Sequence, residues 1–230
     1  MNQRDEESTV TMFDAVVFDC DGVLIDSEII ASRVTAEELT KLGFPLTIEE
    51  CIQRFTGRPD REMKIELEEQ FGRPIPASYD DNVHARITEA YATELKILPG
   101  LKEALATITE PVCVASSSLP EKIRLGLESV GIYDRFAPNI VSAAMVARGK
   151  PEPDVFIFAA GWLRVSPKRC LVVEDSVAGV TAAVRAGMMV LGFGGASHFG
   201  PRDKSRLLDA GAFQVIDHMD ELPGVLRSRK

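Results

Sequence analysis

Two aspartates one residue apart, in Asp19-Cys20-Asp21-Gly22, follow directly on the apolar run Ala15-Val16-Val17-Phe18. The side-chain period of two along extended backbone turns both carboxylates to the same side of the chain. Paired carboxylates supply a nucleophile, a general acid or base, or oxygen ligands for a hard cation. Three other reactive groups are expected at the ends of later strands: Ser116 after Val112-Cys113-Val114-Ala115, Lys150 in Gly149-Lys150-Pro151, and Glu174-Asp175 after Leu171-Val172-Val173. Each also has an ordinary reading. Ser116 to Ser118 suit a helix N-cap, Lys150 a solvated loop, Glu174-Asp175 the positive end of a helix, and D-x-D-G a polar turn. Taken together, they gather at the carboxyl ends of strands in one sheet, where open α/β sheets bind ligands.

The elements that position them alternate. After Leu98-Pro99-Gly100, short β-branched runs alternate with helical stripes: Ile123, Leu127 and Val130 closed by Gly131, then Val177, Val180 and Val184 closed by Gly187. A further strand is expected over Met188–Leu191. Such alternation predicts an α/β fold, a Rossmann-like parallel sheet with helices on both faces. Between Glu28 and Tyr91 the pattern is helical throughout. Ile30, Val34, Leu39 and Leu42 precede Gly43, Thr47 and Glu50 form a capping-box pair, and a third segment runs from Arg61 to Phe71. Ser78 with Asp81 resembles another cap, followed by Val83, Ile87 and Ala90 at helical spacing. The expected organisation is a core of residues 12–28 and 96–230, with a small α-helical cap inserted at 29–95 after the first strand.

Composition narrows the function. The 230 residues carry 26 Lys+Arg against 35 Asp+Glu, a formal charge of −9, with no basic cluster. That balance argues against a nucleic-acid partner. No apolar run approaches the roughly 18 residues of a bilayer span, so no membrane partner is expected. Cys20, Cys51, Cys113 and Cys170 are widely spaced and read as reduced thiols. The opening MNQRDEESTV has no secretory pattern, which makes the cytoplasm the expected compartment. A monomer is the default.

The motifs FDCDGVLIDSE at 18–28, VCVASSS at 112–118, GKPEPD at 149–154 and VVEDSVAG at 172–179 occur in that order. In these the chain resembles the haloacid dehalogenase superfamily over nearly its whole length, in the β-phosphoglucomutase-like and sugar-phosphatase branch with a small helical cap. The resemblance implies that Asp19 is the nucleophile, forming an aspartyl-phosphate that water then cleaves, and that Asp21 is the general acid and base. It implies that Ser116 and Lys150 hold the phosphoryl oxygens. It assigns Mg²⁺ to the Asp19 carboxylate, the Asp21 backbone carbonyl and the Asp175 carboxylate. Electrostatics supports a cation separately, with Glu174 counted among the acidic groups. At about 4 Å, each pair of these carboxylates repels by roughly 4 kcal/mol at an effective dielectric of 20, and Lys150 alone does not balance them.

An aspartate at position 21 favours a phosphate-ester substrate over the superfamily's dehalogenase and phosphonatase chemistry. The expected activity is a Mg²⁺-dependent phosphatase acting on a small phosphorylated metabolite, a sugar phosphate or sugar-acid phosphate. The alternative is a sugar phosphomutase, whose histidine on the first cap helix is replaced here by Ala31. A non-catalytic binding protein is the third reading, and the intact Asp19, Asp21, Lys150 and Asp175 argue against it. Candidate substrate contacts are Ser27, Ser117, Ser118 and Arg58, the last in a turn made by Gly57 and Pro59, with His198 beyond them. Trp162, at helical spacing from Val155 and Ala159, is expected in the core. Cys20 lies in a negative field and is not expected to react, and Glu66, Glu68 and Glu69 read as a solvated helix face.

Overall fold

The computed structural model describes residues 12–56, 58, 60–200 and 203–227. Six strands, β1 (Ala15–Phe18), β2 (Val112–Ser116), β3 (Ile140–Ser142), β4 (Cys170–Glu174), β5 (Met189–Phe193) and β6 (Gln214–Ile216), form one parallel sheet in the order β3-β2-β1-β4-β5-β6. Strands β1, β2 and β4 are buried at every residue because helices cover both faces. Alternation divides their side chains. Val16, Phe18, Val114 and Val173 join one core cluster with α5 (Leu101–Thr107), α6 (Pro120–Ser129), α7 (Tyr133–Phe136) and α11 (Leu222–Arg227). Ala15, Val17, Cys113 and Val172 join the other, with α8 (Asp154–Leu163), α9 (Val177–Arg185) and α10 (Asp203–Asp209).

Four helices, α1 (Glu28–Lys41), α2 (Ile48–Phe55), α3 (Asp60–Phe71) and α4 (Ser78–Glu94), lie between β1 and α5 and contribute no strand. They share a cluster of their own around Leu39, Phe44, Phe55, Met63, Leu67 and Tyr79. Their two connections to the sheet run side by side: Asp26 donates its backbone N–H to Lys96, and Leu98 donates to Leu24. Thr47 and Glu50 close the expected capping box on α2. Gly43, Gly131 and Gly187 all adopt the positive φ that ends a helix without a Cβ clash.

Several local expectations differ. Ser78 is the first helical residue of α4 and caps nothing; Ala77 precedes it without a side-chain bond. In α9 only Val180 of the three valines is buried, beside Gly179, Ala182 and Ala183, because the helix needs small residues to approach the sheet; Val177 and Val184 face outward. Trp162 is 47% exposed and stacks on Phe158, since α8 turns Val155, Phe156, Ala159 and Ala160 inward instead. Glu66 is paired with Arg54 and Arg58, and Glu68 accepts the Ile75 N–H, so those two carboxylates are structural partners and not merely solvated. Strands β3 and β6, three residues each, carry too short an apolar signal to be read from sequence.

Candidate active site

Strand register brings the reactive residues together. Phe18 pairs with Val173, so the next residue on each strand, Asp19 and Glu174, emerges side by side, and Asp19 donates its backbone N–H to Val173 at 3.0 Å. Phe18 also pairs with Val114 on β2, which ends two residues on at Ser116. Lys150 does not follow a strand directly as expected; it reaches this point from the loop before α8, well beyond the end of β3 at Ser142. Its Nζ donates to Asp19 Oδ1 and to Glu174 Oε1, both at 2.6 Å, with the lysine side chain only 5% exposed. Glu174 is held from the other side by the backbone N–H and hydroxyl of Ser176, at 2.9 and 3.0 Å, while Ser176 caps α9 by accepting from Gly179.

Asp19, Glu174 and Asp175 each present a carboxylate oxygen within 4.8 Å of the others, and all three residues are buried. Burial pushes the Asp19 carboxyl well above the ordinary range; Lys150 pulls it down, and Glu174 and Asp175 push it further up. Burial likewise raises Asp175, and His198 counters it. One buried ammonium therefore faces three carboxylates. A hard, oxygen-seeking cation fits this donor set, and it would remove the repulsion that Lys150 leaves uncompensated. Close approach to the cluster also restricts the backbone. Gly22 has φ +79°, and a Cβ there would lie 1.9 Å from Asp175 Oδ2.

Asp21 is kept apart from this cluster. Ser27 Oγ donates to its Oδ1 at 2.6 Å, Ser118 Oγ donates to its Oδ2 at 2.7 Å, and Lys122 Nζ lies 3.5 Å from Oδ1. Burial pushes the Asp21 carboxyl upward, but Lys122 and these hydroxyl donors outweigh it and leave it below the usual carboxylate value. Both hydroxyls thus point at Asp21 in this arrangement. The metal-ligand grouping likewise contains no Asp21 side chain. Ser116 Oγ accepts the Ser118 N–H at 3.0 Å, and Ser142 Oγ, at the end of β3, donates to the Ser118 carbonyl at 2.6 Å. Ser117 is exposed.

The remaining candidates separate from this group. Arg58 donates to Glu66 at 2.9 Å, to the Arg54 carbonyl at 3.1 Å and to Glu62 at 3.4 Å. Its guanidinium is thus engaged by neighbouring helical residues, and the turn residues Gly57 and Pro59 lie outside the described set. His198 packs against the acidic cluster, with Nε2 3.3 Å from Asp175 Oδ2, while its buried Nδ1 has no hydrogen-bond partner among the described residues. Ser197 beside it engages the Asp26 carboxylate through its backbone N–H and hydroxyl, tying this loop to the exit from the D-x-D-G turn. Burial raises the Cys20 thiol well above its ordinary value, with Asp21 and Asp19 adding to the effect, so it stays a thiol.

Lys122 lies outside the motifs, and Glu28, which closes the first of them, had no role assigned. Lys122 sits in the first turn of α6, where a cation opposes the helix dipole. That misplacement is a signal the sequence carries. Glu28 opens α1; burial, with Asp21 nearby, pushes its carboxyl up to about 7 against the pull of Lys122 and His198.

Comparison with known proteins agrees with this geometry. The chain is 28% identical over 221 residues to the 6-phosphogluconate phosphatase of Escherichia coli, covering 96% of this chain and 97% of that protein. It is 30% identical to a phosphorylated carbohydrates phosphatase of Thermotoga maritima, covering 93% and 98%. It is also 30% identical to a β-phosphoglucomutase of Bacillus subtilis, covering 78% and 83%. The solved structure of a conserved haloacid dehalogenase-like protein of unknown function from Agrobacterium tumefaciens superposes with a TM-score of 0.83 at 43% identity, covering 93% and 97%. A family model for haloacid dehalogenase-like hydrolases matches residues 13–187. From sheet order, clustered carboxylates and these matches alike, the chain belongs to the haloacid dehalogenase-like hydrolase family.

Proposed function

We propose that this protein is a Mg²⁺-dependent phosphatase that hydrolyses a small phosphorylated metabolite, a sugar phosphate or sugar-acid phosphate, through an aspartyl-phosphate on Asp19. The observation that carries the reading is the separation of two carboxylates at one strand end. Asp19 is fixed by Lys150 beside Glu174 and Asp175, whereas Asp21, two residues on, is fixed by Ser27, Ser118 and Lys122. Different surroundings assign different roles to paired carboxylates.

Lys150 engages Oδ1 of Asp19 and leaves the other oxygen to attack phosphorus. As the bond to the leaving oxygen breaks, its electron pair stays on that oxygen, and Asp21, which Lys122 and the two hydroxyls hold ionised until it takes up a proton from solvent, passes that proton to it. Asp21 then takes a proton from the water that attacks the aspartyl-phosphate, which returns Asp19 and releases inorganic phosphate. Ser116 and Lys150 stabilise the phosphoryl oxygens, where negative charge is greatest. Mg²⁺ would be held by the Asp19 and Asp175 carboxylates and the Asp21 backbone carbonyl, with Glu174 beside them, and when bound supplies the positive charge that lets a phosphate dianion approach a carboxylate. Helices α1 to α4 act as the cap that limits water at the site.

The sugar-acid and carbohydrate phosphatases among the relatives support this substrate class. A phosphomutase is the second reading, favoured by the β-phosphoglucomutase match and opposed by Ala31 on α1. The test is inorganic phosphate release from a panel of sugar phosphates, sugar-acid phosphates and bisphosphates, with and without Mg²⁺. Release that requires metal and vanishes in Asp19→Asn is the expected result. A product that keeps its phosphate, formed only with a bisphosphate activator, would instead establish the mutase.

A further inference from the structure

Lys122 is the second lysine beside the carboxylates, and its surroundings differ from those of Lys150. Lys150 is bound at 2.6 Å to both Asp19 and Glu174. Lys122 approaches Asp21, with Nζ 3.5 Å from Oδ1 and its side chain 29% exposed. Helix α6 carries it in its first turn, two residues after Pro120, where the exposed N–H groups at the helix start already make the potential positive. A cation gains nothing from the helix there. It is held instead by the negative groups around it: Asp21, the Tyr91 phenol, Glu28 and Asp60 all favour its charged form and outweigh burial. Tyr91 is 1% exposed.

The two lysines thus serve opposite halves of the reaction. Lys150 stands at the nucleophile and Lys122 at the group that must meet the leaving oxygen. We propose that Lys122 is a positioning residue that, with Ser27 and Ser118, holds the Asp21 carboxyl against the leaving oxygen and acts on that oxygen only through Asp21. This rests on the hydrolytic reading above. When the phosphorus–oxygen bond breaks, the electron pair remains on the leaving oxygen, the proton passes to it from Asp21, and the resulting Asp21 carboxylate is left facing the Lys122 ammonium and two hydroxyl donors. The consequence falls on poor leaving groups. A nitrophenolate carries its own charge without help, whereas a sugar or alkyl alkoxide does not.

The test compares kcat/KM, which reports the steps through phosphoenzyme formation, across phosphate monoesters of graded leaving-group basicity, from p-nitrophenyl phosphate to alkyl and sugar phosphates. For Lys122→Met the expected loss is about 100-fold on the alkyl and sugar esters and less than about threefold on p-nitrophenyl phosphate, the scale of losing one general-acid or oxyanion donor. Lys122→Arg is expected to recover most of the loss. A uniform loss across the series, or none, would overturn the proposal. Asp21→Asn removes the charge that Lys122 balances, so the double variant Lys122→Met/Asp21→Asn keeps the question open to test even if Lys122→Met alone does not fold. If Lys122 acts through Asp21, adding Lys122→Met to Asp21→Asn changes kcat/KM by less than about threefold; a further loss of about tenfold or more would refute the coupling. A wild type no more active than Asp19→Asn would overturn the hydrolytic reading itself, and the role of Lys122 with it, and is distinguishable from every outcome in the variant series.

Discussion

Replacing Gly179 by alanine sets two physical effects of opposite sign against each other. Gly179 lies inside α9, and a helix-interior glycine replaced by alanine ordinarily gains about 1 kcal/mol. Here the added Cβ would lie 1.6 Å from Glu174 Oε1 and 2.0 Å from its Cδ. The carboxylate must therefore move by roughly 1.5 Å to restore ordinary contact distances, and its surroundings leave little freedom. Glu174 is fully buried and accepts from Lys150 at 2.6 Å, from the Ser176 N–H at 2.9 Å and from the Ser176 hydroxyl at 3.0 Å. Losing one hydrogen bond to a charged group costs about 1.5–3 kcal/mol, and overpacking adds about 1–3 kcal/mol. After the helical gain is subtracted, the net expectation is a destabilisation of about 1.5–5 kcal/mol.

The measurement is urea unfolding followed by far-UV circular dichroism, with the change read as a lower midpoint at unchanged slope. Gly161 provides the control. It too lies inside a helix, α8, yet nothing stands within 4 Å of its added Cβ, so Gly161→Ala should raise stability by up to about 1 kcal/mol. Phosphate release gives a second readout. Displacing Glu174 shifts Lys150 and with it Asp19, and a misplacement of about 1 Å at reacting atoms lowers turnover on the order of 100-fold. A Gly179→Ala protein as stable as the parent would refute the claim that Glu174 is pinned between Lys150 and α9.

Lys150→Met leaves Asp19 and Glu174 buried without their cation and should cost about 3–5 kcal/mol of stability, measured by the same urea titration. Added Mg²⁺ should return part of that loss, because a cation bound only to the folded state stabilises it by mass action; no effect of Mg²⁺ on the variant would count against the carboxylates as its site. Glu28 supplies a pH prediction. Its folded-state value of about 7 lies above the ordinary 4.5, so its stabilising contribution is complete below about pH 4.5 and is lost as the pH rises through about 7. Stability curves of wild type and Glu28→Gln should accordingly converge or cross by at most about 3 kcal/mol between pH 5 and pH 8, and parallel curves would remove Glu28 from the balance. His198→Ala should weaken Mg²⁺ binding by about 10- to 100-fold in calorimetric titration, while His198→Gln, whose amide replaces Nε2 toward Asp175, should retain more of it. Equal affinities in both variants would show that the histidine does not orient Asp175.

What could be read from the chain alone is local. An apolar β-branched run such as Ala15–Phe18 forms a buried strand wherever both faces are covered, and Thr47 with Glu50 caps a helix through bonds spanning three residues. Gly43, Gly131 and Gly187 end helices because the positive φ they adopt disfavours any residue with a Cβ. Motif spacing likewise pointed to Asp19, Asp21, Ser116, Glu174 and Asp175, each at or next to a strand end, and to Lys150, which a loop supplies. Which donor faces which acceptor was decided by tertiary structure. Parallel register sets Asp19 beside Glu174, and Lys150 joins them across 131 residues of chain. Ser27 and Ser118 looked like substrate contacts, but the fold turns both hydroxyls onto Asp21, the second from 97 residues away. Arg58 looked free to bind an anion until α3 brought Glu62 and Glu66 within reach. Trp162 looked like core until the small faces of Ala159 and Ala160 proved to be what fits against the sheet. Helix periodicity and capping depend on residues three or four apart, so sequence determines them directly; the partner of a buried charge depends on which distant segments pack together, and only the folded chain determines that.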